Sequence, residues 1–377
     1  MHPRILFVYT YYPEFLEDLY ASDPSLATLG FEEQRRRVEA TAFGVGESYV
    51  HYLRCLGCDA QEVIVNADVL QSCWAAEAVR EGILAPVILA PAGLTPGGNI
   101  HDQRRRIVAA QVEAIRPDVL FVFEWCPLGD TFLVDMKRRV RLVVGQVASP
   151  LHANRTYAGY DLMISSFPPL VDFFREQGVD AAPLRFGFDP RMLDGLPSQP
   201  PRYDVTFVGG VAPSHPDRIT WLEGLFEAGI DVDVFGYGFD AAREGSPIRS
   251  RFRGEAWGRR MFEVMRQSRI TLNRHARIDI RGRVDSRFAN NMRLFEATGV
   301  GTCLVTDAKE NLAEMFEPGR EVVTYRSTAE CAERLRHLLD HDSERAAIAT
   351  AGQARTLADH SYTDRVAELL YILQQHL

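Results

Sequence analysis

In the stretch NNMRLFEATGVGTCLVTD, residues 290–307, two amides, a guanidinium and a carboxylate stand within about two helical turns of an apolar run. Asparagine is a favoured N-cap, so Asn290 and Asn291 are expected to open a short helix whose free N–H groups offer positive potential to a phosphate. Arg293 inside that helix and Arg274, which follows the run RITLN together with His275, can reinforce this potential. Glu296 has the opposite sense: an ionised carboxylate only accepts hydrogen bonds, which suits sugar hydroxyls. Together these groups fit a ligand that joins a ribose to a diphosphate. Gly299 is expected to stop the helix, since glycine tolerates the left-handed conformation, and TCLVTD reads as a buried strand.

Gly209 and Gly210, in FVGG, follow the first strand of the second half and let backbone approach a ligand. FGYGFDA, residues 235–241, imitates a dinucleotide fingerprint, but the sequence after it forms no helix on that turn and no acidic strand end follows at the usual distance, so nicotinamide binding is not expected. Asp231 and Asp233 form a DxD triplet near the start of a strand, away from the ligand edge; a solvated or capping role is expected and no metal. For acid or base work the candidates are Glu124 in FVFEWCP and His152 in ASPLHANR, both at strand ends of the first half.

These groups must be positioned by open parallel sheets, whose ligands bind at the carboxyl ends of strands. The first half alternates apolar runs with helical patterns (RILFVYT, YVHYLRCLG, QEVIVNA, IVAAQVEAI, DVLFVFEW, RLVVGQVAS, DLMISSF, PLVDFFREQG), and the second repeats the alternation from DVTFVGG to EVVTY. Strand, helix, strand at this spacing means a parallel sheet wrapped by helices. The expected domains are residues 1–188, with a long insertion at about 11–43 that reads as a binding loop or lid, and residues 189–360. A last amphipathic helix, 361–377, is expected to pack across a domain surface. Proline and glycine accumulate at 185–204, which suits a boundary and a hinge, so the cleft is expected to close on a ligand.

A net charge of −9 argues against a nucleic-acid partner, whose phosphates reward a basic face. Lys137 and Lys309 are the two lysines among 42 basic residues, so an anion clamp here rests on arginine, backbone N–H groups or asparagine. The six cysteines offer one close pair, Cys55 and Cys58, placed at a helix end where a redox motif is not expected; they read as structural thiols of a cytoplasmic protein. The opening run is a first strand, too short for a signal or a span, and no stable membrane anchor is expected.

At these residues the sequence resembles the CgeB-type (spore-maturation protein) glycosyltransferases, related to the group-1 nucleotide-sugar transferases of GT-B fold. The matching pieces are DVTFVGG, WLEGLFEAGIDVDVFGYG, WGRRMFEVMRQSRITLNRH, NNMRLFEATGVGTCLVTD and ENLAEMFEPGREVVTYRSTAE, with GQVASPL, YDLMISSFPPLVDFFREQGVD and LRFGFDP in the first half. The resemblance implies an α/β protein of GT-B fold: two facing Rossmann-like domains with parallel sheets and an interdomain cleft, the donor held by the second and the acceptor by the first. It implies metal-independent transfer of a sugar from a nucleoside diphosphate donor to a hydroxyl acceptor, with no other cofactor. Glu296 would bind the ribose, Asn290, Asn291, Gly209 and Gly210 would approach the diphosphate, and Arg293 or Arg274, with His275 alongside, would complete the donor site. Retaining group-1 enzymes commonly carry two glutamates separated by seven residues, but the position eight before Glu296 is Phe288. Retention is favoured by kinship; inversion would require a base such as Glu124 or His152. A nucleotide-sugar epimerase of the same fold and a non-catalytic binding protein are the alternatives.

Overall fold

The computed structural model describes residues 2–85, 99–123, 127–152, 155–196, 200–212 and 214–377. The apolar runs form two parallel sheets. The first contains β1 (Arg4–Tyr9), β2 (Asp59–Ile64), β3 (Val119–Phe123), β4 (Leu142–Gln146), β5 (Leu162–Ser165) and β6 (Asp180–Pro183), in the order β2-β1-β3-β4-β5-β6. The second contains β7 (Tyr203–Val208), β8 (Asp233–Phe235), β9 (Ser268–Asn273), β12 (Cys303–Asp307) and β13 (Val323–Tyr325), in the order β13-β12-β9-β7-β8. A short antiparallel hairpin, β10 (Ile278–Ile280) and β11 (Arg283–Asp285), completes the strands among the described residues.

The central strands read as continuous apolar runs because helices cover both faces. In β1, Leu6 and Val8 join the core on one face while Ile5 and Phe7 join the core on the other. The final helix, Tyr362–His376, lays Tyr362, Val366, Leu369 and Leu373 on that second face, so the chain returns to the first sheet after building the second. It crosses beside the outgoing connection: the Phe188 N–H donates to the His360 carbonyl at 2.8 Å and the Tyr362 N–H to the Phe188 carbonyl at 2.8 Å.

The insertion folds. Helices Pro13–Ser22 and Phe31–Glu39, joined by a 3₁₀ turn, close a small core around Tyr11, Phe15, Leu26 and Val38. It also touches the second half, where the Arg259 N–H donates to the Thr41 carbonyl at 2.9 Å. The stretch RIDIRGRVD, which follows RITLN and reads as loop, is the β10–β11 hairpin, and it places Ile278 and Ile280 in the core of the first half. Arg281 at its turn lies over the rings of Tyr157 and Phe173, at 5.7 and 5.6 Å, and Leu151 N–H donates to the Asp279 carbonyl at 3.0 Å. Three segments therefore tie the halves together.

Candidate active site

In each sheet the chain reverses direction of travel at one strand: β1 lies between β2 and β3, and β7 lies between β8 and β9. Such switch points open a crevice at the strand ends. Both crevices face one cavity of about 470 Å³, lined by Phe123 and Gln146 at the ends of β3 and β4, Gly209 after β7, Gly236 after β8 and Asn273 at the end of β9. Tyr12 and Phe43 of the insertion reach it from the first half and Tyr237 and Trp257 from the second. Tyr12 meets Tyr237 and Trp257 edge-on, with ring centroids 5.5 and 5.2 Å apart, so an aromatic contact spans the cleft.

Glu296 lies in the helix Arg293–Gly299 and faces this cavity. Burial pushes its carboxyl up, against the pull of Arg293, whose guanidinium stands 2.8 Å away. Arg293 also points at the sulfurs of Met261 and Met265, at 2.9 and 3.2 Å, so it is committed to Glu296 and to packing. Asn290 and Asn291 do not cap the helix: it starts at Arg293, Met292 occupies the cap position, and no side chain bonds there. The amides are spent on tertiary contacts instead. Asn290 Nδ2 donates to the Ala148 carbonyl at 2.9 Å and its own carbonyl accepts from Ser166 Oγ at 3.1 Å, a latch between the halves. Asn291 Nδ2 donates to Asn273 Oδ1 at 2.8 Å, which leaves Oδ1, a buried acceptor without a partner, at the cavity wall. An acceptor suits a hydroxyl better than the phosphate expected there. Gly299 ends the helix, but the left-handed residue is Gly301, with φ +80°; Gly299 is glycine because an added Cβ would lie 2.3 Å from the Phe188 ring.

Gly209 and Gly210 line the cavity. A Cβ on Gly210 would lie 2.1 Å from the Tyr237 ring, and one on Gly236 would lie 1.9 Å from the Gly209 carbonyl. The glycines of FGYG thus allow two turns to cross. Asp231 and Asp233 pair with Arg251 and Arg253. Phe288, eight positions before Glu296, packs edge-on against Phe167 of the first half at 6.0 Å.

Arg218, which the sequence reading passed over, is the first residue of the helix Arg218–Glu227 and sits at the switch point. Its guanidinium donates to the carbonyls of Gly210 and, at 2.7 Å, of Arg274, bridging the loops after β7 and β9. It lies over Phe207 at 5.0 Å, its Nε has no partner, and no ion pair reaches it among the described residues. Burial pushes it down to about 9. Its position at the start of the helix that follows FVGG, after seven intervening residues, was the available signal.

Arg274 and His275 are turned away from Glu296. Both line a second recess of about 410 Å³ that shares only His215 and Arg218 with the first. His152 is exposed after β4 and is not among the residues lining the cavity, and Glu124 lies outside the described residues. The structure therefore brings together Gly209, Gly210, Asn290, Asn291, Arg293 and Glu296, adds Arg218, and sets Arg274, His275 and His152 apart.

The model of a glycosyl transferase-like family matches residues 218–371, which begins at Arg218 and spans most of the second sheet. No curated protein matches the chain in sequence. Among solved structures, the Anabaena protein Alr3699/HepE in complex with UDP-glucose aligns over 99% of this chain and 100% of its own, at 12% identity and a TM-score of 0.60. The sucrose-phosphate synthase (tll1590) of Thermosynechococcus elongatus aligns over 99% and 98%, at 10% identity and a TM-score of 0.58. A glycosyltransferase from Rickettsia africae aligns over 100% and 98%, at 10% identity and a TM-score of 0.56. The fold is that of the GT-B glycosyltransferases over the whole chain, and its second half is glycosyltransferase-like in sequence as well.

Proposed function

We propose that the protein is a CgeB-like glycosyltransferase of the cytoplasm that moves a sugar from a nucleoside diphosphate donor, bound on the second half, to a hydroxyl of an acceptor bound on the first. One observation carries this reading: a single cavity between the sheet ends holds a buried guanidinium, Arg218, that makes no ion pair among the described residues, and a buried carboxylate, Glu296. The first calls for an anion and the second for hydroxyl donors, and a ribose bearing a diphosphate supplies both. Asn291 Oδ1 accepts from a further hydroxyl, and the backbone of Gly209 and Gly210 borders the cavity beside Arg218, where the diphosphate would lie.

As the bond from the anomeric carbon to the diphosphate oxygen breaks, charge grows on that oxygen. Arg218 stabilises it with fixed positive charge, without a metal. Retention is favoured: the departing phosphate takes the acceptor's proton on the face from which it leaves, which needs no side-chain base and fits a cavity that His152 does not line. Uridine is the first base to test, because the Anabaena neighbour is described with UDP-glucose.

Incubation with UDP-glucose and a panel of acceptors, including glycans, a lipid-linked glycan, peptides and small hydroxylated compounds, tests this by release of UDP. Release that depends on an acceptor and falls at least tenfold in Arg218→Gln supports it. Conversion of the donor sugar without any acceptor supports the epimerase instead. Tight nucleotide binding with no turnover under any condition leaves a binding protein.

A further inference from the structure

The second recess lies at the ends of β9, β12 and β13, on the far side of Arg218 from Glu296. Its lining is strongly cationic: Arg218, Arg274, Arg277, Arg326 and Lys309 stand against Asp217 and Asp307, with His215 and His275 between them. The two carboxylates are already matched. Asp307 accepts from His275 Nδ1 at 2.7 Å and pairs with Lys309 at 2.9 Å; burial opposes its charge, yet these partners hold its carboxyl below the usual range. Asp217 faces Arg277 at 3.7 Å. Among the described residues no carboxylate pairs with Arg218, Arg274 or Arg326. Arg274 lies over the Trp221 ring at 5.4 Å instead. His275, whose side chain is fully buried, has an Nε2 with no partner. Three guanidiniums that make no ion pair among the described residues share one recess, where Asp307 reaches Arg218 only through its field, so an added anion relieves their mutual repulsion.

We propose that this recess binds an anionic group, a phosphate or a carboxylate, carried by one of the two substrates, so that the enzyme selects an acidic donor sugar or a phosphorylated acceptor. Its shared wall with the cavity, His215 and Arg218, places that group next to the donor's diphosphate. The inference rests on the proposed donor site only in assigning the anion to a substrate; the recess itself is defined by its own residues.

The test uses the full chain and calorimetry. Inorganic phosphate is titrated into protein saturated with UDP, as wild type, as Arg326→Gln, a change at an exposed position, and as the double variant Arg274→Gln, Arg326→Gln. Phosphate is expected to bind beside UDP, at least tenfold more weakly in both variants, while Arg326→Gln holds UDP within threefold of wild type. The source follows from two pairs: UDP-glucuronate against UDP-glucose, and glucose 6-phosphate against glucose on the UDP-loaded protein. A tenfold preference for the anionic member of one pair, lost in Arg326→Gln, identifies donor or acceptor. Equal treatment of both pairs overturns the assignment to a substrate. The recess itself is overturned if phosphate does not bind, displaces UDP one for one, or binds both variants as tightly as wild type. Phosphate held through Arg326 by a protein that binds no UDP upholds the recess and defeats the donor reading.

Discussion

Replacing Arg218 by glutamine separates a ligand-binding role from a structural one. Burial pushes this guanidinium from the ordinary arginine range down to about 9, and at about 1.4 kcal/mol per tenfold change in proton affinity the cost of holding the charge is on the order of 5 kcal/mol. Against that cost stand two charge-assisted hydrogen bonds, to the Gly210 and Arg274 carbonyls, worth roughly 1.5–3 kcal/mol each. The opposing effects nearly cancel, so Arg218→Gln is expected to have a ligand-free stability within about 2 kcal/mol of wild type. The loss falls on binding instead: one charge-assisted contact to a diphosphate is worth roughly 1.5–3 kcal/mol, or about ten- to hundredfold in affinity. Urea denaturation without ligand and calorimetric titration with UDP measure the two effects. A variant destabilised by well over 3 kcal/mol that still binds UDP as wild type does would refute the reasoning and make Arg218 a strut between the loops.

Because burial raises the Glu296 carboxyl, it gains its proton at a higher pH than an exposed glutamate; nucleotide affinity is expected to fall as pH drops through that raised value, in wild type but not in Glu296→Gln. The ratio of their UDP affinities across pH isolates the effect from the ligand's own titration, and a flat ratio contradicts it. The same raised value means that Glu296 binds its proton more tightly folded than unfolded, so its contribution to ligand-free stability falls as pH rises between the two values. Gly210→Ala drives a Cβ to 2.1 Å from the Tyr237 ring, which should cost about 1–3 kcal/mol in denaturation and weaken UDP binding as the ring leaves its stack on Trp257. Closure on a ligand, expected from the linker, must leave the hairpin in the first core, so solution scattering with and without UDP should differ little; a large contraction would show that the hairpin releases.

The sheets were legible because strands buried on both faces are apolar without interruption: RILFVY, VLFVF and CLVTD are visible as such before any contact is known. Gly209, Gly210 and Glu296, singled out because strand ends in a parallel sheet mark where a ligand goes, line the cavity. What failed depended on partners distant in sequence. Asparagine's preference for a cap was overridden at Asn290 and Asn291 by acceptors at Ala148 and Asn273, which no local pattern announces. The glycine signal at the helix end was real but fell on Gly301, while Gly299 answered to Phe188 across the connection between the halves. Arg274 and Arg218 are both arginines beside strand ends, and only the fold shows that the second turns toward the cavity holding Glu296 as well as the recess. The β10–β11 hairpin could have been read, because RIDIRGRVD alternates apolar and polar residues about a glycine turn.

The central claim, a nucleoside diphosphate held between Arg218 and Glu296, is tested most directly by calorimetric titration of the ligand-free protein with UDP, GDP, ADP, CDP and dTDP, repeated on Glu296→Gln. The expected result is one-to-one binding of one member, weakened at least tenfold when the carboxylate is lost. Binding of none, or binding that ignores the substitution, would contradict it.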